Sequence, residues 1–406
     1  MTLPHPLIAP GSGALATPLP RVLRPQRAVP SDAIRPTRAE INLAALRHNL
    51  RILQRVAGGA EVGCVLKADG YGHGSKAVAR TLERAGATRM CVALLEEGVE
   101  LRQAGIRTPI LVMGGHYARA WGELLRHDLT PVIHDVGQIA TLAEEVRFSG
   151  SGAVGVHLKI DTGMSRLGVL PHQIPTIAEA FNSFKEVQLE GVMTHFACAD
   201  ADDVESVDHQ MDAFDLACQD LLDRGVSIPM RHAANSAATI RYPRARLQSV
   251  RPGIALFGVT PGHDWLPELR PVMRVSSEIV ALREIESGTS VGYGATWRAA
   301  RKSRIATLPM GYADGLTRGL SGRGNILVRG KRAPIVGVVS MDMTMIDVTD
   351  VEGVNVGEEC VVLGSQKGPH GEAVITATEI ADQLGTIPWE VLTNISRRVP
   401  RFYREP

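Results

Sequence analysis

The stretch Val62-Gly63-Cys64-Val65-Leu66-Lys67-Ala68-Asp69-Gly70-Tyr71-Gly72-His73-Gly74 decides how the rest of the chain reads. Residues 62–66 form an apolar run bounded by turn signals, the pattern of a buried strand. A lysine stands at its end, where burial of an ammonium is costly unless it is paired or neutral. Desolvation lowers a lysine's pKa and turns it into a nucleophile, often one that forms a Schiff base. The glycines that follow let backbone approach a ligand, and Tyr71 adds a hydroxyl. Taken alone, Lys67 reads equally well as a side chain snorkelling to the surface.

Outward from this strand the chain repeats the pattern. Residues 39–56 carry Ile41, Leu43, Leu46, Leu50 and Leu53 at helical spacing. Apolar runs at 62–66, 90–94, 110–113, 130–133, 154–160, 189–195, 230–234 and 249–257 each predict a strand. Amphipathic stretches at 75–85, 96–104, 119–127, 138–146, 174–184 and 207–224 lie between them. Eight strand–helix units predict an α/β fold, an N-terminal (β/α)8 TIM-type barrel, with a doubly wound open sheet as the other reading. After about residue 270 the runs shorten to 274–282, 305–308, 325–328, 335–340, 343–348 and 359–363, divided by Gly, Pro and Asp. Helical patterning is nearly absent there until 377–384, so a mostly β, largely antiparallel C-terminal domain follows. The expected division is a flexible extension over 1–37, a barrel over 38–265 and the β domain over 266–406. The linker falls near 261–271, and the first strand of the barrel domain is able to pack with the second.

Composition narrows the function. At 406 residues the chain is long enough for two domains. Lys+Arg 44 balance Asp+Glu 43 with no charged block, which argues against nucleic acid or a membrane surface as partner. Cys64, Cys91, Cys198, Cys218 and Cys360 are scattered, odd in number and lack metal-ligand spacing, which suits reduced thiols and no bound metal. The first stretch, rich in Pro, Arg, Ala and Gly, does not read as a signal peptide, and no run is long enough to span a membrane. A cytoplasmic enzyme is expected.

In a (β/α)8 barrel the chemistry lies at the carboxyl ends of the strands. Those ends supply Lys67 and Tyr71, then Lys159 and Arg166, His195, Asn235 and Ser236, and Arg251, Gly253 and Ile254. Each has a plain alternative. Arg166 and Arg251 suit ion pairs, His195 a satisfied core histidine, Ser236 a helix N-cap. Together, a lysine for an aldehyde, a serine-and-glycine cradle for phosphate and polar groups for a ring suggest pyridoxal phosphate.

Six ordered motifs carry a family resemblance. They are Val65-Leu66-Lys67-Ala68-Asp69-Gly70-Tyr71-Gly72-His73-Gly74, Asp161-Thr162-Gly163-Met164-Ser165-Arg166-Leu167-Gly168, Thr194-His195-Phe196, Arg251-Pro252-Gly253, Gly292-Tyr293-Gly294-Ala295-Thr296 and Gly311-Tyr312-Ala313-Asp314-Gly315. From about Arg38 to its end the chain resembles the alanine racemases, a fold-type III pyridoxal-phosphate family. The resemblance implies a racemase interconverting L- and D-alanine for peptidoglycan synthesis. It implies that Lys67 bonds the cofactor and is the base on one face, with Tyr293 from the partner subunit the base on the other, hence a homodimer. It gives Arg251 to the pyridine nitrogen with His195 supporting it. Tyr71, Asn235, Ser236, Gly253 and Ile254 go to the cofactor, chiefly its phosphate. Arg166 goes to the phenolic oxygen and the substrate carboxylate, and Lys159 orients it. Met341 and Tyr312 go to the substrate and its entrance, with Asp342 beside them. Two positions depart from the family pattern: Arg397 stands where a phosphate-binding tyrosine is usual, and Ser340 where a cysteine is common. The alternative on the same scaffold is a broad-specificity or serine-preferring racemase. A non-catalytic cofactor carrier and a decarboxylase fit the second domain and Tyr293 less well.

Overall fold

A computed structural model describes residues 34–115, 120–201, 205–260 and 265–405. Strand β1 (Arg38–Asn42) opens the chain, and helix α1 (Leu43–Ala57) follows, capped where the Asn42 side chain accepts the Ala45 N–H at 2.9 Å. Eight parallel strands then close on themselves: β2 (Glu61–Val65), β3 (Arg89–Val92), β4 (Ile110–Val112), β5 (Thr130–Ile133), β6 (Val154–Lys159), β7 (Val187–Met193), β8 (Arg231–His232) and β9 (Ser249–Val250). Pairing of Glu61 with Ser249 joins the last strand to the first. The open-sheet alternative is therefore excluded. Helices Ser75–Arg84, Leu95–Gln103, Trp121–Arg126, Val136–Ser149, Ile174–Ser183 and Glu205–Asp223 follow successive strands.

The second part of the chain is mostly β. A seven-stranded sheet runs in the order Lys331–Pro334, Asn325–Val328, Glu359–Gly368, β10 (Met273–Glu278), β1 and Arg401–Arg404, with Gly371–Ile375 paired to Glu359–Gly368. A three-stranded sheet of Ala281–Ile285, Ser303–Leu308 and Thr344–Asp347 lies beside it in sequence.

Four expectations are corrected. Residues 39–42 are strand, not helix: Ala39, Glu40 and Ile41 are all buried in the sheet, where β1 pairs antiparallel with β10 and parallel with Arg401–Arg404. Glu40 is buried in this junction and is held by Arg404 at 2.6 Å, Arg38 at 3.2 Å and Arg274 at 3.5 Å, so its charge is paired where water is excluded. The run 249–257 is not one strand. Pro252 cannot donate to a ladder, and Ile254–Phe257 fold back as a buried 3-10 turn. The run 335–340 makes only the single bridge from Ile335 to Ile346. Residues 35–37, expected to belong to a flexible extension, are tied down. Arg35 grips the buried Asp314 carboxylate with both terminal nitrogens, at 2.7 and 2.9 Å, and the Thr37 hydroxyl donates to the Pro309 carbonyl. The rest of that extension, through residue 33, lies outside the described residues, as does 261–264 within the expected linker.

The ring of Phe257 is the packing link between the folded-back turn and the Lys67 segment. It is 1% exposed, stacks on His73 with centroids 4.3 Å apart and touches Tyr71 at 5.2 Å. Phe257→Ala is expected to destabilise the protein by about 3–5 kcal/mol, read as a lower urea midpoint with an unchanged slope.

Candidate active site

The segment after β2 turns the wrong way for a helix of L-residues. Ala68, Asp69, Gly70 and Tyr71 have φ of 53°, 56°, 62° and 53°, one full left-handed turn. The three residues with a Cβ each cost about 1–2 kcal/mol in that conformation. Several bonds offset the strain. The Glu97 carboxylate accepts the Ala68 N–H at 2.6 Å with one oxygen and the Ala93 and Leu94 N–H groups at 2.8 and 3.0 Å with the other. Asp69 accepts the Ser75 N–H at 2.9 Å, and Arg401 Nε donates to the Gly72 carbonyl at 2.9 Å. The turn lifts Lys67 to the barrel mouth and drops Tyr71 inward, 5% exposed.

Lys67 opens to solvent, yet the protein around it still lowers its pKa, by desolvation first and then by the Arg166 charge, against the opposing pull of Glu97. Lys159, at the end of β6, is 4% exposed, and its pKa is lowered to about 8 by burial and by Arg166, Arg251 and Lys67, with Asp161 opposing. Arg251 is 4% exposed and is lowered to about 10 by burial. Burial, together with Arg251, Arg166, Lys159 and Lys67, takes His195 down to about 3, so its ring is neutral. Four cationic side chains thus converge on one mouth, where Arg166 lowers both lysines and Arg251 lowers Lys159. Such a cluster is built for anions.

Arg166 sits on the loop after β6. One oxygen of Asp161 accepts the N–H groups of Gly163, Met164 and Ser165 at 2.9, 3.0 and 3.1 Å, closing the loop into a rigid turn. Opposite, the Ser236 hydroxyl accepts the N–H groups of Gly253 and Ala255 at 2.9 and 3.3 Å, leaving the Ile254 N–H between them unclaimed by that hydroxyl. A Cβ at Gly253 would overlap the Tyr71 hydroxyl, so only glycine lets the phenol reach this backbone. Burial raises the Tyr71 pKa, which keeps the phenol a hydrogen-bond donor. Asn235 caps helix Ser236–Arg241 through its side-chain oxygen, which accepts the Ala238 N–H at 2.9 Å, so that oxygen is engaged within the helix.

The histidine bonded to Arg251 is His232, not His195. Arg251 Nη1 lies 2.7 Å from His232 Nδ1, and Nη2 donates to the carbonyls of Thr194 and Ala233 at 2.7 and 3.0 Å. His195 is near enough to feel the guanidinium charge but shares no hydrogen bond with it among the described residues. Sequence reading also missed Glu97. Its signal was present: the acid stands three residues after Leu94, at the N3 position of helix Leu95–Gln103.

The remaining residues lie on the second domain. Tyr293 is 73% exposed on a 3-10 turn, with Met341 at 53% and Tyr312 at 41%. The Tyr312 and Ala313 N–H groups donate to the carbonyls of Ser340 and Met341, which ties these loops together. Asp342 pairs with Arg398 at 2.7 Å, and the Ser340 hydroxyl bonds the Met343 backbone. Arg397 is exposed. Among the described residues no hydrogen bond or ion pair joins Tyr293, Tyr312 or Met341 to Lys67.

Comparison with known proteins explains the arrangement. Residues 41–261 match the N-terminal domain of alanine racemases and residues 272–403 the C-terminal domain. This chain belongs to the alanine racemase family. An alanine racemase of Sorangium cellulosum is 58% identical over 379 residues, covering 92% of this chain and all of that one. The crystal structure of an alanine racemase from a D-cycloserine-producing Streptomyces lavendulae is 32% identical, with a TM-score of 0.86 over 92% of this chain and 98% of that one. A third, from Bartonella henselae with covalently bound pyridoxal phosphate, is 27% identical with a TM-score of 0.81 over 91% and 99%.

If the Asp161 carboxylate holds the Arg166 loop, Asp161→Ala strands three N–H donors. Tryptic cleavage after Arg166 is expected to accelerate at least about tenfold, the 1.4 kcal/mol equivalent of one lost hydrogen bond. An unchanged digestion rate contradicts that role.

Proposed function

We propose that this alanine racemase family member interconverts L- and D-alanine with pyridoxal 5'-phosphate at the barrel mouth, Lys67 working on one face of the substrate Cα and Tyr293 of the partner subunit on the other. The observation that carries this reading is the convergence of Lys67, Lys159, Arg166 and Arg251 on one mouth beside the Ser236, Gly253 and Tyr71 cradle. The donor set fits the cofactor: a lysine amine for its aldehyde, cations for its phenolate and phosphate, and hydroxyl and backbone donors converging on one corner. When bound, the cofactor supplies an aldehyde that condenses with amines and a ring that withdraws electrons from Cα.

The chain's own residues do the rest. The lowered pKa of Lys67 favours the free amine, which is able to take the Cα proton. Tyr71 would donate a hydrogen bond to the phosphate, with Ser236 and the backbone of Gly253 and Ile254 beside it. Arg166, pinned by the Asp161 turn and flanked by Lys159, receives the substrate carboxylate. Arg251 would meet the ring nitrogen as a hydrogen-bond donor, and its charge would oppose protonation there and leave the ring a weaker electron sink.

Racemisation needs a second proton group on the opposite face. Tyr293 fits that role from a second copy of the chain. Its exposure together with Tyr312, Met341 and Met343 on the second domain is what a homodimer would cover. Asp342 supports this edge through Arg398. Among the described residues no helix is long and apolar enough to cross a membrane. Formation of D-alanine in the cytoplasm for peptidoglycan completes the proposal.

The test is a chiral assay with pyridoxal phosphate in deuterated water against single L-amino acids. Alanine is expected to turn over with deuterium at Cα; comparable turnover of serine, lysine or arginine shifts the reading to broad specificity, and no exchange at all overturns it. Tyr293→Phe is expected to cost about 10²–10⁴-fold in kcat while leaving cofactor binding nearly intact. Arg251→Glu is expected to raise long-wavelength cofactor absorbance during turnover, and an unchanged spectrum counts against Arg251 at the ring nitrogen.

A further inference from the structure

Behind Arg251 a file of polar side chains runs down the inside of the barrel. Arg251 Nη1 lies 2.7 Å from His232 Nδ1, His232 Nε2 lies 2.6 Å from His157 Nδ1, and His157 Nε2 lies 3.2 Å from Arg89 Nη1. The imidazoles meet edge to face at 75°, and both are essentially inaccessible to water. The chain makes room for them deliberately: a Cβ at Gly191 on β7 would come within 2.6 Å of His157 Nδ1. No carboxylate among the described residues touches either ring. Glu61 on β2 stands at the far end, 3.8 Å from Arg89 Nε.

Counting protons orders this file. Guanidinium groups only donate, so each ring nitrogen facing an arginine has to be a lone pair for a hydrogen bond to form. Two neutral imidazoles hold two ring protons, and the contact between them uses one. The other then points at one of the two arginines. The neutral pair satisfies only one arginine, and the distances say which. The two short contacts lie on the Arg251 side and the long one on the Arg89 side. Arg251 therefore donates to His232 Nδ1, His232 Nε2–H donates to His157 Nδ1, and His157 Nε2–H faces Arg89. Arg251 has no acidic partner for its charge among the described residues, whereas Arg89 has Glu61. The lone pair goes where it is needed.

We propose that His157 and His232, with Arg89 behind them, are positioning residues that reserve a lone pair for Arg251 and deny the file a third proton. The only lone pairs in the file are His232 Nδ1 and His157 Nδ1, and each already accepts one of the short bonds. A third proton would therefore break one of them and loosen Arg251. Arg89, donor against donor at His157, keeps that proton out. Arg251 and Arg89 are the charged groups facing the pair, and after burial both push the two histidines far below the ordinary value, His157 to about 3. The proposal rests on the assignment of Arg251 to the cofactor's ring nitrogen for its consequence in catalysis, but not for the order of protons.

The first experiment reads that order directly in unsubstituted holoenzyme carrying 15N-histidine. Long-range 1H–15N correlation at pH 7.5, assigned with His157→Asn and His232→Asn, is expected to show both rings neutral with the proton on Nε2. A proton on His232 Nδ1, or a doubly protonated ring, overturns the proposal. This readout needs no turnover, so it stands apart from any failure of the racemase reading. The second compares Arg89→Met and Arg89→Lys. Arg89→Met is expected to raise the histidine pKa values, because one charge that opposes a third proton is gone while burial remains, and so to start the acid-side loss of kcat at a higher pH than in the unsubstituted enzyme, with KM little changed. Bound-cofactor absorbance is expected to shift over the same range, and Arg89→Lys to restore the unsubstituted profile. Profiles and spectra that superimpose for all three proteins overturn the role given to Arg89, while a Met variant that does not fold leaves the first experiment to decide.

Discussion

The structure turns on positive charge gathered without equal negative charge. Lys67, Lys159, Arg166 and Arg251 gather at a single barrel mouth, with Glu97 and Asp161 as the nearby acids. Two like charges 4 Å apart repel by about 4 kcal/mol where the effective dielectric constant is near 20. A protein holds such a cluster only if the scaffold over-determines each side chain. Here it does: a left-handed turn fixes Lys67, an Asp161 turn fixes Arg166, and two carbonyls with a histidine fix Arg251.

The acids are used sparingly. Glu97 and Asp161 spend their oxygens on backbone N–H groups and so shape the loops that carry the cations, instead of pairing the cations directly. That leaves the mouth net positive and open to an anionic ligand. The buried histidines solve a related problem beneath it, offering Arg251 a neutral acceptor where a carboxylate would have cancelled its charge.

The second domain braces the site in a different way. Strand β1 leaves the barrel chain to sit between β10 and Arg401–Arg404, and Arg401 reaches across to the Gly72 carbonyl. The strained turn at Lys67 is therefore closed by a residue more than 300 positions later. The exposed Tyr293, Tyr312 and Met341 lie on the same second domain that provides this brace.

Much of this was legible in the order of residues. The eight apolar runs, the change of texture near residue 270 and the list of strand-end residues follow from local patterns of period and turn, and those patterns are written in neighbouring residues. The exceptions share a cause. Residues 39–42 read as helix because their apolar spacing suits either element, and only a partner strand far along the chain chose between them. The run 249–257 read as strand from its apolar content, although Pro252 within it is a local break signal; that Ser236 takes the N–H groups beyond it is not local. His232 lies unremarked within the run 230–234, while the support of Arg251 was expected from His195; His157 lies in mid-strand, where alternation hides it. Which side chains share a lone pair is decided by distance between strands. The sequence by itself determined the strand-end chemistry and the family. The tertiary structure alone decided which histidine serves Arg251, because closing a barrel brings together residues that no local spacing relates.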